Sequence, residues 1–258
     1  MRIGVIDIGS NSIKLLVAET GSSLAALYQT TLETRISAGI SKEKPILSTE
    51  AISAATQAVV ELIGEARKFA PEQFAIVATS AVRDAVNRDA FIDKVQDATG
   101  HRLRVLSGKE EAAYIGRAIT TDPLLSGLKA FTLCDLGGGS LEFIRIEGGE
   151  IKSKVSLQLG AVRLLELFIK DPRQPMDTET EELIRAYVRE KIEESGFTGL
   201  VGQQQLAATG GAVNVARAIR ANWLGQNYAT SDSNITVTYL KYLKEELCRM
   251  SLGERQLI

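Results

Sequence analysis

The chain has 258 residues, 45% of them apolar, and a formal net charge of −2, which is room for one large domain or two smaller ones and supplies no basic field to recruit nucleic acid. Two cysteines, Cys134 and Cys248, build no disulfide framework, and one histidine, His101, leaves Ser-His-Asp catalysis and His-rich metal sites without material. The opening MRIGVIDIGS has no apolar signal region, and no apolar run approaches the roughly 20 residues of a membrane span, so a soluble cytoplasmic protein is expected.

In chain order, residues 2–8 alternate apolar side chains and run into Gly9-Ser10-Asn11-Ser12, with a second β-rich run at 13–18. That predicts strand, tight turn, strand, followed by a third strand at 24–32. Ser48 opens a long helical pattern that Pro71 ends, with apolar residues at Ile52, Ala55, Val59, Leu62, Ile63 and Ala66. A short strand is predicted at 74–78, a helix at 88–98 and a strand at 103–106. Ser107 and Glu110 fit a capping box for a helix reaching 119. Residues 123–127 read as a crossover, after which the pattern restarts. Strands are predicted at 130–136, 141–146 and 151–159, with a Gly148-Gly149 hairpin turn between the last two. Helices at 162–169 and 178–195, a strand at 206–208, and helices from Thr209 to 221 and at 238–250 complete the chain.

The restart is a repeat. Val5-Ile6-Asp7-Ile8-Gly9-Ser10-Asn11-Ser12 aligns with Leu133-Cys134-Asp135-Leu136-Gly137-Gly138-Gly139-Ser140. Asp, Gly and Ser recur at one spacing, at the same place between two strands. Two related α/β domains are expected, 1–122 and 123–258, with their turns facing across a cleft. One such turn is an ordinary hairpin feature; two aligned copies point to a shared ligand.

Glycine lets backbone N–H groups approach an anion, and Ser adds hydroxyl donors. Gly137, Gly138 and Gly139 in a row, with Ser140, therefore read as a phosphate loop. Asp7 and Asp135 at the strand ends would repel phosphate alone, and read as Mg2+ holders or as Asx caps. Glu142 follows Ser140 by two residues on the same strand face, either a second metal ligand or an exposed charge. Glu110 takes the cap, leaving Glu111 to activate water or to complement the helix dipole. Arg83 and Lys14 are phosphate contacts or solvated charges. Thr209-Gly210-Gly211 opens a helix whose N–H groups suit an anion, or simply packs closely.

Together these motifs resemble the exopolyphosphatase / guanosine pentaphosphate phosphohydrolase family of the acetate kinase, sugar kinase, Hsp70 and actin superfamily. Carrying the resemblance are the two Asp-Gly-Ser turns, Ala78-Thr79-Ser80-Ala81-Val82-Arg83-Asp84-Ala85, Ser107-Gly108-Lys109-Glu110-Glu111-Ala112, and Ala208-Thr209-Gly210-Gly211. It implies two ribonuclease H-like (actin-like) α/β domains, the second incomplete at its C-terminus because the chain stops at Ile258. It further implies Glu111 as catalytic base, and Asp135 and Glu142 as ligands of Mg2+ or another divalent cation. Arg83, Gly137, Gly138, Gly139 and Ser140 would contact phosphate, with Ser10, Asn11, Thr209, Gly210 and Gly211 completing the grip. The implied substrates are polyphosphate or guanosine penta- or tetraphosphate, with no nucleic-acid or membrane partner; a homodimer is left open. The competing readings are an ATP-dependent small-molecule kinase and a non-catalytic binder of the same ligands.

Overall fold

The computed structural model describes residues 1–21, 24–40, 44–122, 125, 127–198 and 205–258. The expected crossover at 123–127 lies outside them except for Leu125 and Gly127. The chain divides into two compact units. Unit 1 comprises Met1–Ile115 with Gly138–Ser140, and unit 2 comprises Gly116–Gly137 with Leu141–Ile258.

Unit 1 is built on a five-stranded sheet of order β3-β2-β1-β4-β5. Its strands are β1 (Arg2–Ile8), β2 (Ser12–Thr20), β3 (Leu24–Glu33), β4 (Gln73–Ala78) and β5 (Leu103–Val105). The first three form an antiparallel meander, and β4 and β5 run parallel to β1. Parallel neighbours need helical crossovers, supplied by α1 (Thr49–Arg67) and α3 (Arg88–Thr99), with the short α2 (Ser80–Asp84) between them. The Ser48 hydroxyl caps α1 by accepting from the Ala51 N–H at 3.0 Å. The predicted apolar stripe of α1, Ile52, Ala55, Val59, Leu62, Ile63 and Ala66, is the buried one. It packs with Ile6, Ile8, Ile13, Leu15 and Val17 of the meander and with Phe91 and Val95 of α3 in one continuous core. Gly100 stops α3 in the left-handed conformation, its N–H returning to the Gln96 carbonyl. α4 (Gly108–Thr120) follows β5.

Unit 2 repeats the plan with four strands in the order β8-β7-β6-β9. These are β6 (Ala130–Leu136), β7 (Leu141–Glu147), β8 (Glu150–Leu157) and β9 (Gln205–Thr209). β6, β7 and β8 form an antiparallel meander and β9 runs parallel to β6, matching the first four strands of unit 1. The Gly148-Gly149 turn has φ of +60° and +78°, which glycine adopts freely and which suits a two-residue hairpin. β7 is buried on both faces through Leu141, Phe143, Ile144 and Ile146. The helices are α5 (Ala161–Phe168), α6 (Thr178–Glu194), α7 (Gly211–Trp223), α8 (Val237–Arg249) and α9 (Leu252–Arg255). The sequence pattern did not reveal α2 or α9, each too short to show periodicity. Among the described residues no helix is long and apolar enough to cross a membrane.

Candidate functional site

The two Asp-Gly-Ser hairpins have the same register. In unit 1 Asp7 pairs with Lys14 and Ile8 with Ile13; in unit 2 Asp135 pairs with Glu142 and Leu136 with Leu141. Residues directly opposite in an antiparallel pair share a face, their Cβ atoms about 4.5–5.5 Å apart. The copies therefore differ in charge at one equivalent position: the aspartate faces a cation in the first and a second carboxylate in the second.

Around the first turn, the backbone is tied from behind. The Thr34 and Arg35 N–H groups both donate to the Asn11 carbonyl, at 3.1 and 2.9 Å, and the Ser37 N–H donates to the Ser10 carbonyl at 3.1 Å. With both carbonyls occupied, the N–H groups of Ser10 and Asn11 have no partner among the described residues. The Ser10 and Ser80 hydroxyls are buried and likewise lack a hydrogen-bond partner. Gly139 lies against them: a Cβ there would overlap the Ser10 Oγ and come within 2.6 Å of the Ser80 Oγ. Only glycine fits at that point. Asp7 keeps one buried oxygen, Oδ1, unpartnered. Burial raises its carboxyl pKa, and the Lys14 charge opposes that rise.

Arg83 and Glu111 meet in this unit. α2 leaves β4 after the Thr79 N–H has bonded the Ile8 carbonyl at 3.1 Å, which brings Arg83 to the start of α4. Arg83 Nη1 donates to Glu111 Oε2 at 2.8 Å and to the Leu106 carbonyl at 3.1 Å. The side chains are 18% and 14% exposed, so the pair is largely shielded from water. Glu110 takes the cap as the spacing predicts: it accepts from the Ser107 N–H at 2.9 Å and returns its own N–H to the Ser107 hydroxyl. Those bonds to Ser107, with Arg104 beside it, hold the Glu110 carboxyl at about 2. Glu111, left by the cap to activate water or to complement the helix dipole, is ion-paired here with Arg83, the residue read as a phosphate contact or a solvated charge.

In unit 2 the sheet register assembles a polar row. Thr209 of β9 pairs with Asp135 of β6, Asp135 with Glu142 of β7, and Glu142 with Ser156 of β8. Glu142 is 1% exposed, not a solvated strand charge, and accepts from the Ser156 hydroxyl at 2.7 Å. Burial, followed by the charges of Asp135 and Glu142, pushes the half-buried Cys134 thiol up to about 11. Gly210 then turns the chain into α7 with φ +105°, and a Cβ there would overlap the Leu136 carbonyl oxygen and lie 2.7 Å from its carbon. This glycine is demanded by geometry. Gly211, where a Cβ would meet nothing within 4 Å, is not.

Gly137, Gly138 and Gly139 all lie outside the positive-φ region, so no left-handed backbone requires the run. Gly137 instead anchors α5, its carbonyl accepting from the Ala161 N–H at 3.0 Å. The sequence reading missed the 34–37 loop, Ser80 and Ser156. Ser80 lay inside a quoted motif without a role; Ser156 could be found only by knowing the β7–β8 register. A cavity of about 1060 Å3 in unit 2 is lined largely by apolar side chains, including Leu164, Phe168, Leu183, Leu243 and Leu247. None of the residues expected to act lines it.

Among the described residues no group of three or more His, Cys, Asp or Glu is disposed to hold a metal. The Asp135 and Glu142 pair nonetheless fits Mg2+, which takes one or two carboxylates and completes its shell from water and phosphate oxygens. Like charges directly opposite on a sheet are destabilising unless a cation or proton lies with them, and Ser156 braces one of the two.

The fold has relatives. An exopolyphosphatase from Cytophaga hutchinsonii has the same fold at TM-score 0.86 and 22% identity, the alignment covering 99% of this chain and 82% of that one. A PPX-GPPA enzyme of Aquifex aeolicus aligns at TM-score 0.78 and 23% identity over 99% of this chain and 83% of its own. The Ppx/GppA phosphatase family model matches residues 15–257, nearly the whole chain; the chain belongs to the Ppx/GppA phosphatase family.

Proposed function

We propose that the chain is an exopolyphosphatase-type phosphohydrolase, releasing the terminal phosphate of inorganic polyphosphate or of guanosine pentaphosphate with a divalent cation. The observation that carries the reading is the charge difference between the duplicated hairpins, Asp7 with Lys14 against Asp135 with Glu142. The first copy suits an anion and the second a cation. The exopolyphosphatase named among the similar structures supports the same substrate class.

In this reading the N–H groups of Ser10 and Asn11, the hydroxyls of Ser10 and Ser80, and the turn at Gly138, Gly139 and Ser140 hold phosphoryl oxygens. Lys14 adds a point charge, and Thr209, Gly210 and Gly211 present the N-terminus of α7. Asp135 and Glu142 would hold the cation, which when bound neutralises charge on the phosphate chain. Glu111 orients water for in-line attack and takes its proton. The Arg83 pairing gives that step a gate: while Arg83 holds Glu111, the carboxylate is a poor base. A phosphate that draws Arg83 into a bidentate contact releases Glu111 when substrate is present.

The test is phosphate release from tripolyphosphate, long polyphosphate, guanosine pentaphosphate and ATP, with and without Mg2+, alongside ATP with sugar and carboxylate acceptors. Release of orthophosphate from a polyphosphate or from guanosine pentaphosphate is expected. Phosphorylation of an acceptor without release to water would favour the kinase reading, and tight binding with no release the non-catalytic one.

A further inference from the structure

The cations of unit 1 near the first turn are committed, with one exception. Arg83 is held by Glu111, and Lys14 faces Asp7. Arg35 is exposed, and its guanidinium has no partner among the described residues. Its backbone is nevertheless fixed in an unfavourable place. Arg35 has φ +47°, left-handed backbone that a residue with a long side chain rarely adopts. Such outliers persist where the surroundings over-determine them, and they cluster at ligand sites. Here the surroundings are the turn itself: the N–H of Arg35 lies 2.9 Å from the Asn11 carbonyl, with Thr34 on the same oxygen. The flanking hydroxyls of Thr34 and Ser37 are buried without a hydrogen-bond partner, and Ser37 is only 1% exposed. Ile36 between them is buried in the core and anchors the loop, yet both hydroxyls stay unsatisfied, which a loop stabilising only itself would avoid.

We propose that the 34–37 loop is a second phosphate subsite, in which Arg35 grips a phosphate of the substrate chain other than the one being cleaved. This rests on the polyphosphate reading above and deepens it. The clamp on Asn11 fixes the origin of the Arg35 side chain beside the turn that holds the terminal phosphate. A long, unpaired guanidinium leaving that point is suited to bidentate contact with the next groups of a phosphate chain. A single orthophosphate occupies the turn alone and does not need it.

The variants are Arg35→Gly, which adopts φ +47° without strain and so preserves the loop, and Arg35→Lys, which keeps a charge but not the fork. Both are compared with wild type in steady-state release from long polyphosphate and in equilibrium binding of long polyphosphate and of orthophosphate. The loss of one charge-assisted bidentate contact predicts a KM and a dissociation constant for long polyphosphate raised roughly tenfold or more in Arg35→Gly, part of it recovered in Arg35→Lys. Orthophosphate binding, kcat and the unfolding midpoint should stay near wild type. Unchanged KM and unchanged polyphosphate binding in a folded Arg35→Gly variant overturn the subsite. So does an equal weakening towards orthophosphate, which would make Arg35 part of the terminal grip. If wild type releases no phosphate from any substrate, the hydrolase reading fails by itself, and the binding comparison still decides the subsite.

Discussion

Glu111→Gln separates the two roles of the Glu111 carboxylate, which neutralises Arg83 and is assigned the proton of the attacking water. The ion pair spans 2.8 Å with side chains only 18% and 14% exposed, so it is not a surface pair of negligible worth. At an effective dielectric constant of about 20, unit charges about 4 Å apart attract by about 4 kcal/mol, much of it offset by desolvation. Glutamine keeps an oxygen for Arg83 Nη1, whose second bond, to the Leu106 carbonyl, is untouched. The net loss is therefore about 1–2 kcal/mol, below the ~3 kcal/mol upper end for hydrogen bonds to charged groups. At roughly 2–4 °C per kcal/mol for a chain of this size, the unfolding midpoint should fall by about 2–8 °C. Catalysis should fall much further, by about 10²–10⁴-fold if the carboxylate is the general base. With the Arg83 charge no longer neutralised, phosphate binding should hold or tighten. Calorimetric unfolding, phosphate release and orthophosphate binding on one preparation read all three. Near wild-type turnover in a folded variant would refute the base assignment, and lost phosphate binding would refute the gate.

The remaining predictions concern the two turns. The folded pKa of Asp7 is raised by burial, so the folded state binds its proton more tightly than the unfolded chain; the cost of the charge is present above the folded pKa and gone below the ordinary value of 3.8. Asp7→Asn should therefore raise the unfolding midpoint at neutral pH and leave it unchanged below pH 3.8, while impairing turnover; a uniform shift at both pH values would refute the burial argument. Gly210→Ala, with φ +105° and a clash on Leu136, should cost upwards of about 2 kcal/mol, whereas Gly211→Ala, one residue on in open space, should be near neutral. Removing divalent cations with EDTA should abolish phosphate release and Mg2+ restore it, and Asp135→Asn should move the Mg2+ dependence to higher concentration; release indifferent to both would contradict the cation role.

Much of this was legible in the chain because it depends on local pattern. The α1 stripe, the Ser107–Glu110 cap and the two hairpins are set by spacing within a few residues, and a repeated octapeptide shows a duplication without structural help. The partners of those residues were less accessible. That Lys14 faces Asp7 and Glu142 faces Asp135 follows from hairpin register, but Ser156 beside Glu142 depends on a β7–β8 register shifted between Arg145 and Ile146. The Arg83–Glu111 contact joins residues 28 apart through two separate elements. The 34–37 loop gave no signal, because a strained arginine is indistinguishable from a relaxed one in sequence. The glycine run read as a phosphate loop; that Gly139 must also make room for the hydroxyls of Ser10 and Ser80, residues far away in the chain, left no local signal.

The central claim is that water attacks the terminal phosphoryl group of a phosphate chain, with Glu111 taking its proton. The most direct measurement is hydrolysis of long polyphosphate in ¹⁸O-labelled water, with mass analysis of the orthophosphate at early times. The account predicts single orthophosphates each carrying one oxygen from solvent, formed by wild type and not by Glu111→Gln. Release of unlabelled phosphate, internal cleavage into shorter chains, or labelled product formed equally fast without the Glu111 carboxylate would contradict it.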